Sequence, residues 1–179
     1  TDQHRGLAHG RRGGNDHASR VDSGRSRRPA RLGARIRPLG SDPVRAVLIV
    51  NPNATSTTPA GRDLLAHALE SRVKLTVVQT AHRGHAIELG HWAARDGVDV
   101  IIVHGGDGTV NEVVNGVLDE VGPGADGGSA PAIGVVPGGS ANVFARALGI
   151  SPDPIEATNQ LIDLLSEHRR NGAWRRIGL

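Results

Sequence analysis

The residues with the clearest chemical potential in this chain are Gly105-Gly106-Asp107-Gly108-Thr109. Three glycines free the backbone to take positive φ and to approach a ligand with no Cβ in the way. Thr109 followed by Glu112 matches a capping box, so a helix is predicted to begin at this turn, its unpaired N–H groups and positive dipole end aimed at whatever the loop holds. Phosphate is the ligand such a turn suits. A carboxylate beside a polyphosphate is repelled unless a cation lies between them. Asp107 therefore points to Mg²⁺, held directly or through water, or to a proton acceptor for an attacking hydroxyl. The alternative is that Asp107 only satisfies N–H groups of the turn. A Walker A loop is excluded because the stretch has no lysine, and a Rossmann fingerprint because Asn111 stands where its third glycine belongs.

The elements that must position this turn can be read on either side of it. Val98 to Val103 is β-branched and apolar almost throughout, as in a parallel strand buried on both faces. Val110, Val113, Val114, Val117 and Leu118 share one helical face after it. Upstream, Val44 to Val50 reads as a strand ending at Asn51-Pro52-Asn53, and Pro59 opens a helix with the apolar stripe Leu64, Leu65, Ala68, Leu69. Val73 to Thr80 is a second strand with Leu75, Val77 and Val78 buried, and Ala86 to Asp96 a helix closed by Gly97. Downstream, Asp119 to Pro131 reads as a glycine-rich connection, either a surface loop, the preferred reading, or a lid, and Ala132 to Val136 as a strand. That strand runs into a second glycine turn, Pro137-Gly138-Gly139-Ser140, where Ser140 can cap a helix from Ala141 to Leu148. A last helix, Ile155 to about His168, would bury Ile155, Leu161, Ile162 and Leu165, and a strand begins near Arg175.

Strands alternating with helices specify an α/β fold, a Rossmann-like three-layer domain with a mostly parallel sheet. In such a sheet ligands bind at the carboxyl ends of the strands, so the two glycine turns should face one cleft.

Composition narrows the rest. Residues 1–43 hold 10 arginines against 4 acidic residues and almost no apolar partners, which predicts a disordered basic tail. The remainder, with 11 basic and 14 acidic residues, carries the fold. One Phe, no Tyr and two Trp leave no platform for base stacking, which argues against nucleic acid as a partner. With no cysteine, disulfides, thiolate metal sites and cysteine nucleophiles are excluded. No apolar run approaches the roughly 20 residues needed to span a bilayer. The loop His82-Arg83-Gly84-His85 lacks a third ligand at plausible spacing and reads as a surface pair. Trp92 and Trp174 read as packing residues, and Arg146 as either a phosphate contact or a solvated charge at a helix end.

Taken together, Gly105 to Thr109 with Asn111-Glu112 and Asn115-Gly116, Asn51-Pro52 upstream, and Pro137-Gly138-Gly139-Ser140-Ala141-Asn142 with Phe144-Ala145-Arg146 downstream resemble the catalytic domain of the diacylglycerol kinase and sphingosine kinase superfamily. The resemblance covers residues 44–179 and implies ATP-dependent phosphorylation of a lipid hydroxyl at a membrane surface, with Mg²⁺, by a cytoplasmic protein in peripheral contact with the inner membrane face. It implies that Asn51, Thr80, Gly105, Gly106, Gly108, Thr109 and Glu112 line the nucleotide site, that Gly138, Gly139, Ser140 and Asn142 form the wall opposite, and that Asp107 is the Mg²⁺-linked or catalytic carboxylate. Members often carry threonine where Ser140 stands and aspartate where Val143 stands. They usually continue into a β-sandwich domain that shapes the lipid pocket, and the strand beginning at Arg175 resembles its entrance. Two other readings remain open: an NAD kinase-like enzyme, which shares the glycine-aspartate turn, and a nucleotide-binding fragment without catalysis.

Overall fold

The computed structural model describes residues 43–121 and 130–171. They belong to the second of the two units into which the chain divides, Leu32–Leu179. The basic tail expected over 1–43 lies outside the described residues except for Pro43, as do residues 122–129 of the glycine-rich connection, Trp174 and the strand expected from Arg175.

The elements run in the order β1 (Arg45–Val50), α1 (Pro59–Glu70), β2 (Lys74–Gln79), α2 (His85–Arg95), β3 (Val100–Gly105), α3 (Asp107–Val121), β4 (Ala132–Pro137), α4 (Val143–Ala147) and α5 (Pro154–Asn171). All strand pairs are parallel, in the order β2-β1-β3-β4. The chain therefore steps outward from β1 to β2 and then returns past β1 to β3. Right-handed crossovers put helices from the two directions of travel on opposite faces. The core divides accordingly. Ala46, Leu48 and Val50 of β1 pack with Leu65, Leu69, Ala157, Leu161 and Leu165 of α1 and α5. The alternate residues Val47 and Ile49 pack with Ala86, Ala93, Val110, Val113 and Val117 of α2 and α3. This is the three-layer α/β fold anticipated from the sequence.

Local chemistry explains most boundaries. Thr58 caps α1 by accepting the Gly61 N–H at 3.0 Å, with Pro59 in the first turn. Gly97 after α2 and Gly149 after α4 take φ of 71° and 75°, left-handed positions that end helices. α3 runs on to Val121, three residues into the expected loop, because Val121 packs on the core and Glu120 pairs with His91 of α2 at 3.0 Å.

Several expected faces are corrected. Leu64, Ile155 and Val77 are exposed at 55%, 59% and 38% of their surface, and Leu118 is also exposed. β2 is a sheet edge, so its apolar residues are only half covered or open. On α1 and α5 the buried stripe is the narrower i, i+4 set, and on α3 it is Val110, Val113, Gly116 and Val117. Gly116 belongs there because a Cβ would stand 2.1 Å from the Ile87 carbonyl oxygen; Gly90 likewise leaves room for Val113. This glycine pair lets α2 and α3 cross backbone to backbone.

Candidate functional site

At the carboxyl ends of the strands the two glycine turns meet. A Cβ on Gly139 would stand 2.7 Å from the Gly106 Cα, and one on Gly138 would stand 3.0 Å from the Gly105 Cα. The Gly138 N–H donates to the Gly105 carbonyl at 2.9 Å, extending the β3–β4 ladder into the turns. Gly105 also needs its missing Cβ for a local reason, since one would lie 2.9 Å from the Thr109 side chain. None of Gly105, Gly106 and Gly108 takes positive φ, contrary to expectation. Their use is close approach rather than left-handed backbone.

The capping box is also corrected. α3 begins at Asp107, two residues before Thr109. The Thr109 hydroxyl accepts from Asn51 Nδ2 at 3.0 Å, fastening the end of β1 to the first turn of α3. Glu112 Oε2 accepts the Gly84 N–H at 3.1 Å and holds the β2–α2 loop, with Gly84 itself at φ 87°.

Asp107 reaches across to the second turn. Its two carboxylate oxygens accept the N–H groups of Val143 at 3.0 Å and Phe144 at 2.9 Å, the first donors of α4. The role expected of Ser140 as cap thus falls to the first residue of α3, and α4 starts at Val143 rather than Ala141. The residue at the N-cap position, Asn142, is left-handed at φ 46° and ψ 45°, and its side chain bonds the N–H and carbonyl of Gly139. The Phe144 N–H, then the Val143 N–H, and the charge of Arg146 hold the Asp107 carboxyl below the usual carboxylate range.

The turns border a cleft of about 570 Å³. Of the residues implicated from the sequence, Asn51, Thr80, Gly106, Asp107, Gly108, Thr109, Glu112, Gly139 and Ser140 line it. Gly105, Gly138 and Asn142 do not. The two glycines are buried behind the surface and Asn142 braces the second turn, so all three support the wall rather than form it. His82, read from the sequence with His85 as a surface pair, is exposed and also lines the cleft, as does the exposed Arg83, for which the sequence offered no role. The signal was present: they follow Thr80 at the carboxyl end of β2, where ligands of such sheets bind. His82 stacks on His85 with ring centroids 4.9 Å apart. Asn53, Ala54 and Thr55 of the β1–α1 loop complete one side.

The family model of the diacylglycerol kinase catalytic domain matches residues 45–171. The chain belongs to that family. A protein of Chromohalobacter salexigens named "Probable lipid kinase YegS-like" is 36% identical over 110 residues, 62% of this chain and 33% of that protein. A diacylglycerol kinase of Staphylococcus haemolyticus is 34% identical over 101 residues, 56% of this chain and 28% of that protein. The crystal structure of a diacylglycerol kinase from Bacillus anthracis is similar with a TM-score of 0.60 at 29% identity, covering 70% of this chain and 44% of that one. The chain spans about a third of the length of the curated relatives it matches. Every cleft residue named above falls inside the diacylglycerol kinase catalytic match.

The donor set of this diacylglycerol kinase-type cleft fits a magnesium nucleotide. Each Asp107 oxygen accepts one N–H, which leaves lone pairs for a cation. Mg²⁺ is typically held by one or two carboxylates together with phosphate oxygens and water. Among the described residues no group of three acidic or histidine side chains is placed to hold a metal alone. The arrangement therefore suits an ion brought in with phosphates.

Proposed function

We propose that this chain holds the nucleotide in an ATP-dependent lipid kinase that moves the γ-phosphoryl group to a lipid hydroxyl, such as that of diacylglycerol or a sphingoid base. The observation that carries the reading is Asp107, anionic and cleft-facing, fixed between two glycine turns that bring backbone to within contact distance of each other. Phosphoryl transfer depends on positioning and charge neutralisation more than on covalent help from the protein. The first N–H groups of α3 and the backbone of Gly106, Gly108 and Gly139 receive the phosphates, with Ser140 at the opposite wall. Arg83 adds positive charge from the β2 side. Asp107 is the carboxylate through which Mg²⁺ joins the protein. When bound, that ion offsets the charge gathering on the phosphoryl oxygens. Thr80 and Asn51 border the same space from β2 and β1. The acceptor is presented at a membrane surface by peripheral contact; among the described residues no helix is long and apolar enough to cross a bilayer.

A second reading is nucleotide binding without transfer by this chain. One experiment separates the two. Labelled phosphate is offered as Mg-ATP with diacylglycerol, sphingosine and NAD as acceptors, to the chain and to Asp107→Asn. Label in a lipid, lost in the variant, is the expected result. Binding of Mg-ATP by calorimetry with no transfer supports the second reading. Label in NAD overturns the lipid acceptor, and no binding at all overturns the nucleotide site.

A further inference from the structure

Behind the cleft lies a histidine to which this mechanism gives no task. His104 sits in β3 after Ile101, Ile102 and Val103, and is 3% exposed. An apolar residue would satisfy the strand at that position, so a buried imidazole calls for partners that justify it. It has two. Its Nδ1 lies 3.2 Å from the Val136 carbonyl oxygen, which can only accept, so Nδ1 carries the proton. In the neutral ring Nε2 is then an acceptor, and the Thr57 hydroxyl donates to it at 3.2 Å. Burial holds the histidine below its usual pKa, and the Val136 carbonyl offsets this only in part, so the ring stays neutral.

Thr57 belongs to the β1–α1 loop, residues 51–58, which gives Asn51, Asn53, Ala54 and Thr55 to the cleft. The loop is held at three further points. The Asn51 N–H donates to the His104 carbonyl at 2.9 Å, the Ser56 N–H donates to the Gly138 carbonyl at 2.8 Å, and Asn51 Nδ2 donates to Thr109. A Cβ on Gly138 would stand 3.1 Å from the Thr57 hydroxyl, so the loop is seated directly on the second glycine turn. His104 joins β3, β4 and the loop: its side chain bonds β4 on one side and the loop on the other, and its carbonyl bonds the base of the loop.

We propose that His104 is a positioning residue that, through Thr57, clamps the β1–α1 loop onto the second glycine turn and so sets the shape of the cleft where phosphates are held. The clamp rests on the reading of that cleft as a nucleotide site for its effect on affinity, but not for its effect on the loop. Both are therefore measured.

The experiment compares Thr57→Val, His104→Gln, His104→Asn and the double variant His104→Asn with Thr57→Val. The readouts are amide hydrogen exchange at Ser56, Mg-ATP affinity by calorimetry, and melting temperature. Thr57→Val keeps the shape and removes only the donor. Its Ser56 amide is expected to exchange faster and its affinity to fall about threefold to tenfold, the scale of one neutral hydrogen bond. Its melting temperature should fall by about 2–8 °C, because the buried Nε2 of His104 loses its donor. His104→Gln puts an acceptor where Nε2 stood and should restore both readouts. His104→Asn reaches only the Val136 side and should weaken binding as Thr57→Val does, with no further loss in the double variant. Unchanged Ser56 exchange in Thr57→Val overturns the clamp, as does equal behaviour of the Gln and Asn variants. If either His104 variant does not fold, Thr57→Val decides alone. A parent chain that binds no Mg-ATP sinks the nucleotide reading instead, and faster Ser56 exchange in Thr57→Val then still upholds the clamp.

Discussion

The first glycine turn enters the 15-residue α3 with no residue in left-handed backbone, whereas the second reaches the five-residue α4 only through Asn142 at φ 46°. α3 has a long apolar face buried on the sheet and needs little help at its start. α4 has one buried residue, Ala145, and its first donors are satisfied by Asp107, 36 positions away. The short helix is thus held in place by the residue that the long helix presents. Asp107 thus both faces the cleft and keeps its two walls in register.

Breaking the contact between the turns should have the largest effect. Gly139→Val places atoms inside the 2.7 Å gap to Gly106, where the neighbour is backbone and cannot swing away. The expected result is a loss of about 1–3 kcal/mol of stability in urea unfolding, with Mg-ATP binding abolished. A parent-like midpoint would show that the turns do not meet in solution.

Asp107 separates the two demands. Asp107→Asn retains an acceptor for α4, while Asp107→Ala retains none. Both should lower phosphate transfer by at least about 100-fold, and Ala should cost about 1 kcal/mol of stability, the scale of a lost cap, with a smaller loss in Asn, which keeps one of the two acceptors. Full transfer in Asn with a destabilised Ala would reduce Asp107 to a capping residue.

A smaller effect on stability should come from the titration of His104. Its folded pKa lies below the ordinary 6.5, so the unfolded chain takes up the proton first as pH falls. Stability due to the neutral ring is complete above 6.5 and is lost as pH drops from 6.5 toward the lower folded value. Urea unfolding followed from about pH 8 down to pH 5 should show that decline in the parent and a shallower one in His104→Gln. Parallel curves would contradict the assignment of the burial effect to this ring.

The mildest change sharpens the contrast from the other side. Gly108 has open space where a Cβ would go, and that space belongs to the cleft. Gly108→Ala should leave stability unchanged or raise it by up to about 1 kcal/mol, since it sits in helical backbone, while weakening Mg-ATP binding by filling part of the cleft. Loss of both together would mean that Gly108 serves the fold.

Much of this architecture was legible in the chain. The largely apolar runs 44–50 and 98–103, interrupted only by Arg45 and Asp99, announce parallel strands covered on both faces, because such strands lack an alternating polar side. Pro59, Gly97 and Gly149 mark helix ends through their own backbone preferences, which travel with the residue whatever surrounds it. The two glycine turns could be placed at strand ends for the same reason.

What each side chain does there was decided in three dimensions. Periodicity offered Leu64 and Ile155 to the core, but which stripe is covered depends on the neighbour that arrives, and both face solvent. Val77 looks like a buried strand residue until the sheet order leaves β2 at an edge. Thr109 and Glu112 have the spacing of a cap, yet Asn51 and Gly84 reach them first from other strands' loops. Arg83 and His82 join the cleft, and His104 joins Thr57 to Val136, only because the sheet order brings the ends of β2, β1, β3 and β4 side by side. By itself the sequence determined the backbone states and the alternation of elements, which are local preferences of residue types. The pairing of Asp107 with α4 and the clamp at His104 are contacts between segments far apart in the chain, and only the topology sets which of those segments meet.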